Sequence, residues 1–274
     1  MFHPMNYSKQ ELMLRLKLLS DHRIDFDENG KVINEFAAKK LTPEQSELLI
    51  EICYAIAINN PTLLKKYNKW KPSEVYGEIR LHQLENILKM IDIKKNDIFL
   101  DIGSGIGQTA IYSSLRKMFK KAYGIEIATM PVLLATLLEE VLDRVLKVLG
   151  KTTGRYKLIQ GDCLDRRNLH IIREANVIFM NDLTFTPQLR ERIITRLLRN
   201  LKDGSVIINT SGALGLKEGR EINRRSIENR RAYISSKKVL GEPDGVSWTP
   251  KPIVFWINTL NREKVRAFKL QSKA

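Results

Sequence analysis

The sequence predicts an α/β fold built on a parallel sheet, and three observations lead to this class. Short apolar segments alternate with amphipathic helical segments from residue 75 onward, as they do in repeated strand–helix units. A glycine-rich loop at 103–107 separates the first strand-like segment from the next helix. The chain has 274 residues, of which 43% are hydrophobic, so it is long enough to bury a substantial core.

The first quarter of the chain is predicted to be helical. Leucines recur at helical spacing within 9–20, and a Thr-Pro pair opens a second helix over 42–59. A third, short helix is expected over 61–70, before a Lys-Pro-Ser break. We therefore expect a helical N-terminal subdomain at residues 1–72 and the α/β domain at residues 73–274.

Seven strands and four helices are predicted in the α/β domain. The strands are short and apolar and are expected at 97–101, 121–126, 156–160, 176–180, 204–209, 232–240 and 253–260. The helices show apolar residues at a spacing of three or four and are expected at 79–91, 108–120, 131–149 and 187–201.

The composition excludes several classes of protein. Two cysteines, Cys53 and Cys163, cannot form a disulfide scaffold, and the sequence has no Cys/His cluster with the spacing of zinc ligands. No apolar run approaches the ~20 residues that span a bilayer, and the N-terminus lacks the apolar region of a signal peptide. We expect a soluble protein of a reducing compartment that uses a cofactor or binds a partner.

Positive charge is concentrated after the N-terminal quarter. The formal net charge is +15, of which residues 1–75 contribute +1 and the rest +14, and residues 214–240 hold eight basic and three acidic side chains. Arginine pairs bind phosphate or carboxylate in a bidentate manner, so we expect this segment to contact DNA or an acidic protein surface. The residues assigned to this surface are Arg220, Arg224, Arg225, Arg230, Arg231, Lys237 and Lys238.

The glycine loop predicts a ligand without phosphate. Dinucleotide enzymes usually carry G-x-G-x-x-G, whereas this loop is G-x-G-x-G at Gly103, Gly105 and Gly107. Asp101 precedes it by two residues, and a carboxylate there repels pyrophosphate but suits a cationic amino group.

Two further carboxylates follow the next two strands. Glu126 is placed to bind both hydroxyls of a ribose, and Asp162 is placed to accept a hydrogen bond from an adenine amino group. Together with Asp101 they match S-adenosylmethionine, which has an ammonium, a ribose and an adenine but no phosphate. The three carboxylates therefore predict a methyltransferase.

Five motifs resemble one family. V-Y-G-E at 75–78, DIGSGIGQ at 101–108, YGIE at 123–126, VIFMND at 177–182 and VSWTPKP at 246–252 are similar to motifs of the disruptor-of-telomeric-silencing (Dot-one-like) class of non-SET histone lysine methyltransferases. The resemblance implies a seven-stranded class I S-adenosylmethionine-dependent methyltransferase sheet with a helical N-terminal subdomain. It also implies methyl transfer to a lysine on the globular surface of nucleosomal histone H3.

The resemblance also implies roles for individual residues. Asp101 and Gln108 are expected to meet the methionine part of the cofactor, Glu126 the ribose and Asp162 the adenine. The other expected cofactor-binding residues are Tyr76, Glu78, Gly103, Gly105, Gly107 and Cys163. The residues expected to line the lysine channel, where the transfer takes place, are Asn181, Phe185, Trp248 and Phe255.

The chain departs from the family's pattern at four places. Ile79 replaces a threonine, and Cys163 replaces an aromatic residue beside the adenine. Asp182 stands where the family's Asn-Asn-Phe-Ala-Phe string has its second asparagine, and Phe255 stands where it has a tyrosine. Cys163 itself is expected to be structural, because no neighbour in the sequence favours its thiolate.

Other functions stay open on the sequence alone. An adenine or cytosine amino-N-methyltransferase fits the positive charge, although the Asp/Asn-Pro-Pro-aromatic motif of those enzymes is missing at 181–185. A lysine methyltransferase with a non-histone substrate, including a bacterial one, and a non-enzymatic binding protein are further alternatives. The expected location is the nucleus, or the bacterial cytoplasm or a host cell if the source is bacterial.

Overall fold

The computed structural model describes residues 40–58, 60, 62–66, 77–214 and 234–261. Its centre is a sheet of seven strands. The strands are β1 (Ile98–Ile102), β2 (Lys121–Glu126), β3 (Tyr156–Gln160), β4 (Val177–Met180), β5 (Val206–Asn209), β6 (Ile234–Leu240) and β7 (Val254–Leu260). Each of the seven predicted strands is confirmed, with boundaries that agree within two residues.

The sheet is mixed rather than wholly parallel, which corrects the expectation of a parallel sheet. The strand order is β3-β2-β1-β4-β5-β7-β6, and the first five of these strands pair in parallel. Strand β7 is antiparallel to both β5 and β6. Strands β6 and β7 follow each other in the chain without a crossover helix, which makes an antiparallel pair the natural arrangement.

Seven α-helices accompany the sheet in the described residues. They are α1 (Pro43–Ala57), α2 (Thr62–Lys66), α3 (Leu81–Leu88), α4 (Gln108–Leu115), α5 (Thr129–Leu149), α6 (Leu169–Glu174) and α7 (Pro187–Asn200). Helix α1 starts at a capping box, in which Thr42 Oγ1 accepts from Gln45 N–H and Gln45 Oε1 accepts from Thr42 N–H. Helix α6 is not among the predicted helices, because its six residues are too few for a periodic pattern.

Helix α3 begins later than the predicted helix at 79–91. Ile79 pairs with Val246 in an isolated antiparallel bridge, and Arg80 N–H donates to Gly245 O at 3.0 Å. These bonds keep residues 79 and 80 extended, so the helical turns start at Leu81.

Two hydrophobic clusters cover the two faces of the sheet. One includes Phe99 and Phe179 with α3, α4 and α5, and the other includes Ile178 and Leu197 with α6 and α7. Helix α1 packs into the first cluster through Leu49, which is fully buried. The division into subdomains at residues 72 and 73 stays a prediction, because both residues lie outside the described part.

Some predictions fall outside the described residues: the helix at 9–20, Tyr76, and the arginines at 220, 224, 225, 230 and 231. Of the predicted basic surface, Lys237 and Lys238 are described, and both are exposed on β6. None of the helices in the described ranges has the length and apolar character needed to cross a membrane.

Candidate functional site

The glycine loop lies at the carboxyl end of β1 and owes its shape to three left-handed residues. Gly103, Gly105 and Gly107 have φ values of 76°, 57° and 81°, a region that favours glycine. Gly107 is also the N-cap of α4, and a side chain there would collide with Leu158 on β3. The G-x-G-x-G spacing therefore reflects backbone conformation and close packing at the start of the helix.

Glu126, at the end of β2, holds this loop. Its Oε2 accepts a hydrogen bond from Gly105 N–H at 2.9 Å, and its Oε1 accepts from Ala128 N–H at 2.8 Å. Each carboxylate oxygen has two lone pairs, so both can accept one more hydrogen bond from a ligand. The side chain is half-buried at the rim of a cavity.

Asp101, the last-but-one residue of β1, is a buried carboxyl at the base of the same cavity, with 3% of its surface exposed. Burial raises its pKa to about 7, and the nearby Glu126 carboxylate acts in the same direction, although the hydrogen bond from Thr109 Oγ1 opposes them. A cationic ligand beside Asp101 would favour the ionised form, since an opposite charge lowers the pKa of a carboxyl.

Asp162 and Cys163 follow β3. Asp162 Oδ1 accepts from Leu164 N–H at 2.7 Å, which forms a turn that directs residues 162 and 163 toward the cavity. Burial raises the pKa of the Cys163 thiol to about 12, with the Asp162 charge as the second cause. The thiol is therefore protonated at neutral pH, which agrees with the expectation that Cys163 is structural.

Two motifs that are far apart in the sequence meet at the mouth of the cavity. Glu78 N–H donates to Ser247 Oγ, and Ser247 N–H donates to Glu78 O, both at 2.9 Å. The indole of Trp248 lies against Gly77, where an added Cβ would stand 2.7 Å from its Cε3 atom. Gly77 and Glu78 line the cavity, and Trp248 packs behind Gly77.

Asn181, which follows β4, lines the cavity as well. Its Nδ2 donates to Gly77 O at 3.0 Å and its Oδ1 accepts from Thr210 Oγ1 at 3.2 Å. Thr210 Oγ1 has one proton and is equally close to Asp182 Oδ1, so the hydrogen bond to Gly77 O is the one that orients the Asn181 amide. Phe185 lies nearby with its ring over Gly103, at 3.2 Å from the position of an added Cβ.

Phe255 occupies a different environment from the other predicted channel residues. It is 1% exposed and belongs to the hydrophobic cluster that includes Phe99. Its ring packs against Gly241, where an added Cβ would lie at 2.9 Å. The structure thus surrounds Phe255 with core residues, and its part in a lysine channel stays a prediction.

The cavity has a volume of about 210 Å³. The predicted site residues that line it are Glu78, Asp101, Gly103, Gly105, Gln108, Glu126, Asp162, Cys163, Asn181 and Phe185. Gly107, Trp248 and Phe255 do not line it, and Tyr76 lies outside the described residues. The structure therefore brings most of the predicted set together, and the roles of these residues stay predictions.

Several lining residues are absent from the predicted set. Ile127 follows Glu126 and is 58% exposed, although it is apolar, because it stands at the rim of the cavity. Leu189 and Ile193 come from α7 and form one wall. Ile127 could have been predicted as a lining residue, because it is an apolar residue directly after the carboxylate that ends β2. Leu189 and Ile193 could be identified only from the packing of α7 in the structure.

A buried network behind the cavity was also missed. Asp182 is fully buried, forms an ion pair with Arg190 at 3.3 Å, and accepts backbone hydrogen bonds from Thr210 and Ser211 at 3.0 Å each. Arg190 also donates to Phe185 O at 3.1 Å. Asp182 and Arg190 therefore fix the segments that carry Asn181, Phe185 and the Thr210 hydroxyl.

The charge of the lining is one-sided. Glu78, Asp101, Glu126 and Asp162 contribute carboxyl groups, and the described lining residues include neither lysine nor arginine. Such a lining disfavours phosphate groups and favours a ligand with a cationic group and hydrogen-bond donors. The described ranges contain no group of three or more His, Cys, Asp or Glu residues able to hold a metal ion.

Comparisons with known proteins identify the family. Residues 54–260 match the family described as histone methylation protein DOT1. The histone-lysine N-methyltransferase, H3 lysine-79 specific, of Caenorhabditis elegans is 32% identical over 238 residues, which are 86% of this chain and 25% of that protein. The protein of the same name from Drosophila melanogaster is 26% identical over 230 residues, which are 84% of this chain and 12% of that protein.

Among solved structures, an O-methyltransferase from Bacillus cereus is 14% identical, with a TM-score of 0.40 and coverage of 94% of this chain and 93% of that one. At this score the similarity adds nothing to the topology described above. The sheet nevertheless has the seven strands that the sequence predicted. This chain spans only a quarter or less of the two curated relatives. The family match nevertheless covers most of its length, and the chain belongs to the DOT1 family of histone methylation proteins.

Proposed function

We propose that this chain is an S-adenosylmethionine-dependent protein-lysine N-methyltransferase that acts on histone H3 in the nucleosome. The observation that carries this proposal is the convergence of four carboxyl groups on a cavity whose described lining includes neither lysine nor arginine. The names of its relatives specify lysine 79 of histone H3, and we assign the same substrate to this chain. Action on nucleosomes implies a nuclear location.

The lining fits the methyl donor group by group. The buried Asp101 carboxyl would pair with an ammonium, and Gln108, at the first turn of α4, would bind the neighbouring carboxylate. Glu126 would accept from the ribose hydroxyls through the lone pairs left over from Gly105 and Ala128. Asp162 and the exposed Ile127 would hold the adenine by a hydrogen bond and by apolar contact.

The protein must present the substrate lysine as a neutral amine. When bound, S-adenosylmethionine supplies a methyl group on a sulfonium, which is an electrophile for an amine in line with it. A free lysine has a pKa of ~10.4, so its deprotonation at pH 7 costs about 4–5 kcal/mol. An apolar channel lowers this cost, because desolvation disfavours the ammonium. The ring of Phe185 supplies such a surface beside Gly103.

Asn181 and Trp248 position the substrate in this proposal. The hydrogen bond from Asn181 Nδ2 to Gly77 O orients the amide before a ligand binds. Trp248 supports Gly77 from behind and gives this part of the channel a rigid wall. Alignment of the amine and exclusion of water then account for most of the acceleration.

A substrate panel tests this function. Labelled S-adenosylmethionine is offered in parallel to nucleosomes, free histone octamer, DNA and RNA, with Gly105→Arg as the inactive control. Arginine at position 105 is strained at a φ of 57° and fills the loop that the cavity needs. We expect label in histone H3 with the unmodified chain only. Label in DNA or RNA instead would replace this proposal with a nucleic-acid methyltransferase.

A further inference from the structure

In one segment of the chain, every positively charged side chain is an arginine. All seven basic residues between Lys157 and Lys202 are arginines, whereas the other 39 are 26 lysines and 13 arginines. Lysine and arginine carry the same charge, so net charge alone does not explain this choice. Arginine differs in its planar, forked donors, which bind a phosphate with two parallel hydrogen bonds.

Three of these arginines form a stripe on α7. Arg192, Arg196 and Arg199 are spaced at i, i+4 and i+7, and therefore share one side of the helix over about 10 Å. The opposite side is buried and consists of Ile193, Ile194, Leu197 and Leu198. Leu189 and Ile193, in the first half of α7, line the cavity, so the stripe begins near the cavity and runs toward the end of the helix.

Neighbouring elements extend the stripe on both sides. Arg173 of α6 donates to Asn200 Oδ1 at 3.3 Å, which places it beside the end of α7. Arg196 donates to Leu164 O at 2.7 Å, in the loop that leads to the exposed Arg166. We call this surface the arginine ridge; it consists of Arg166, Arg173, Arg192, Arg196 and Arg199.

The arginines of the ridge form no ion pair with a carboxylate in the described part of the chain. The segment's two other arginines form ion pairs, Arg167 with Asp165 at 2.6 Å and Arg190 with Asp182 at 3.3 Å. Within the part of the chain that the structure describes, no ridge arginine forms an ion pair, and the oxygens bonded to Arg173 and Arg196 are neutral. The five guanidinium groups thus form no ion pair among the described residues, although the charge of Asp165, which pairs with Arg167, also acts on Arg196.

We propose that the arginine ridge docks the phosphate backbone of double-stranded DNA. A duplex carries one charge per ~1.7 Å of its axis, and a straight stripe on a rigid helix matches such a rod. Proteins that bind single strands stack bases on aromatic side chains, and residues 166–175 and 186–200 contain no Phe, Tyr or Trp. None of the five ridge arginines is among the residues that line the cavity.

The test compares two variants that each lose three charges. The first is Arg173→Gln/Arg192→Gln/Arg199→Gln; Arg196 is kept because it holds the loop beside Cys163. The matched control is Lys94→Gln/Lys95→Gln/Lys120→Gln, whose exposed side chains lie before β1 and β2, at the end of the sheet opposite the cavity. Thermal melting of both variants checks that the fold is retained.

Binding to a short DNA duplex is measured without methyl donor, over a range of salt concentrations. Each neutralised phosphate contributes about −0.9 to the slope of log affinity against log salt. Without three of the arginines, the slope of the ridge variant should therefore be less negative by about 2 to 3. At physiological salt its affinity should fall about tenfold or more, and the control should retain the original slope. Equal slopes in both variants would overturn the proposal.

Two further ligands identify the class of partner. A single-stranded RNA and a polyglutamate peptide are titrated against the same variants. If the ridge variant binds the peptide or the RNA more weakly but binds the DNA duplex with unchanged affinity, the assignment to DNA is wrong. Because no methyl transfer is measured, this outcome is independent of the proposed enzymatic function.

Discussion

Gly105 N–H donates a hydrogen bond of 2.9 Å to Glu126 Oε2, so the carboxylate that ends the second strand fixes the loop that follows the first. The same side chain accepts from Ala128 N–H at 2.8 Å. Glu126 thus shapes the glycine loop and presents its remaining lone pairs to the cavity. The two carboxylate oxygens of Glu126 therefore serve both the structure of the loop and the proposed binding of the ligand.

Glu126→Ala should therefore weaken cofactor binding strongly. A hydrogen bond to a charged group contributes about 1.5–3 kcal/mol, so the affinity for S-adenosylhomocysteine should fall about 10- to 100-fold. Isothermal titration calorimetry measures this change. Glu140→Ala, an exposed glutamate on α5, is the matched control and should bind as the unmodified chain does. Equal affinity in the two variants would contradict the role of Glu126.

Asp101 should make the ligand-free protein less stable as the pH rises. Its folded pKa is raised to about 7 from 3.8, so the folded state binds more protons than the unfolded state between these values. The contribution is therefore fully present below about pH 4 and is lost as the pH rises through about 7. Asp101→Asn removes the buried charge and should raise the free energy of unfolding at pH 8 but not at pH 5.

Urea denaturation at the two pH values measures this difference. The same substitution should abolish calorimetric binding of S-adenosylhomocysteine, because the neutral amide no longer pairs with the ligand's ammonium. A variant that is more stable at pH 8 and yet fails to bind separates the two effects. Identical stability of the two proteins at pH 8 would show that Asp101 carries no buried charge there.

The strands could be predicted from the sequence because short apolar segments between turns identify them locally. The direction of a strand could not be predicted in the same way. The sequence of residues 254–260 does not indicate whether β7 is parallel or antiparallel to β5. The strand-end carboxylates Asp101, Glu126 and Asp162 could be predicted to meet, because parallel strands bring their carboxyl ends to one edge. Contacts made by loops required the structure, as with Ser247 and Glu78, which are 169 residues apart.

Asp182 shows a second limit of the sequence. In the sequence, Asp182 is a departure from the family's Asn-Asn-Phe-Ala-Phe motif. Its hydrogen-bond partners could not be predicted, because Thr210 and Ser211 are 28 and 29 residues away. Phe255 shows another limit, since the resemblance implies a channel residue and the structure packs its side chain into the core, so that its part in the channel stays a prediction.

Asp182→Ala should destabilise the fold. Removing one partner of a buried ion pair costs about 3–5 kcal/mol, and here two backbone N–H groups also lose their acceptor. Chemical denaturation measures the loss. The double variant Asp182→Ala/Arg190→Ala should recover part of it, because no unpaired guanidinium then remains. A single variant within ~0.5 kcal/mol of the original, the usual range for surface changes, would show that the pair is not structural.

Trp248 and Phe255 should respond differently to truncation. Phe255→Ala opens a cavity in the core and should cost about 3–5 kcal/mol of stability. Trp248→Ala removes the wall behind Gly77 and should lower kcat/KM for the lysine substrate about 10- to 100-fold, with cofactor affinity unchanged. Melting curves and steady-state kinetics separate the two. An active Trp248→Ala enzyme would remove this residue from the channel.

Mass spectrometry of histone H3 from nucleosomes, after incubation with the chain and S-adenosylmethionine, tests directly whether the chain methylates this histone. The proposed function predicts methyl groups on a lysine of the globular surface, at the position named for the relatives. It also predicts their loss with Asp101→Asn, which removes from the cavity the carboxylate that would pair with the cofactor's ammonium. Unmodified histone H3 from an enzyme that binds the cofactor, or an equal yield with Asp101→Asn, would contradict it.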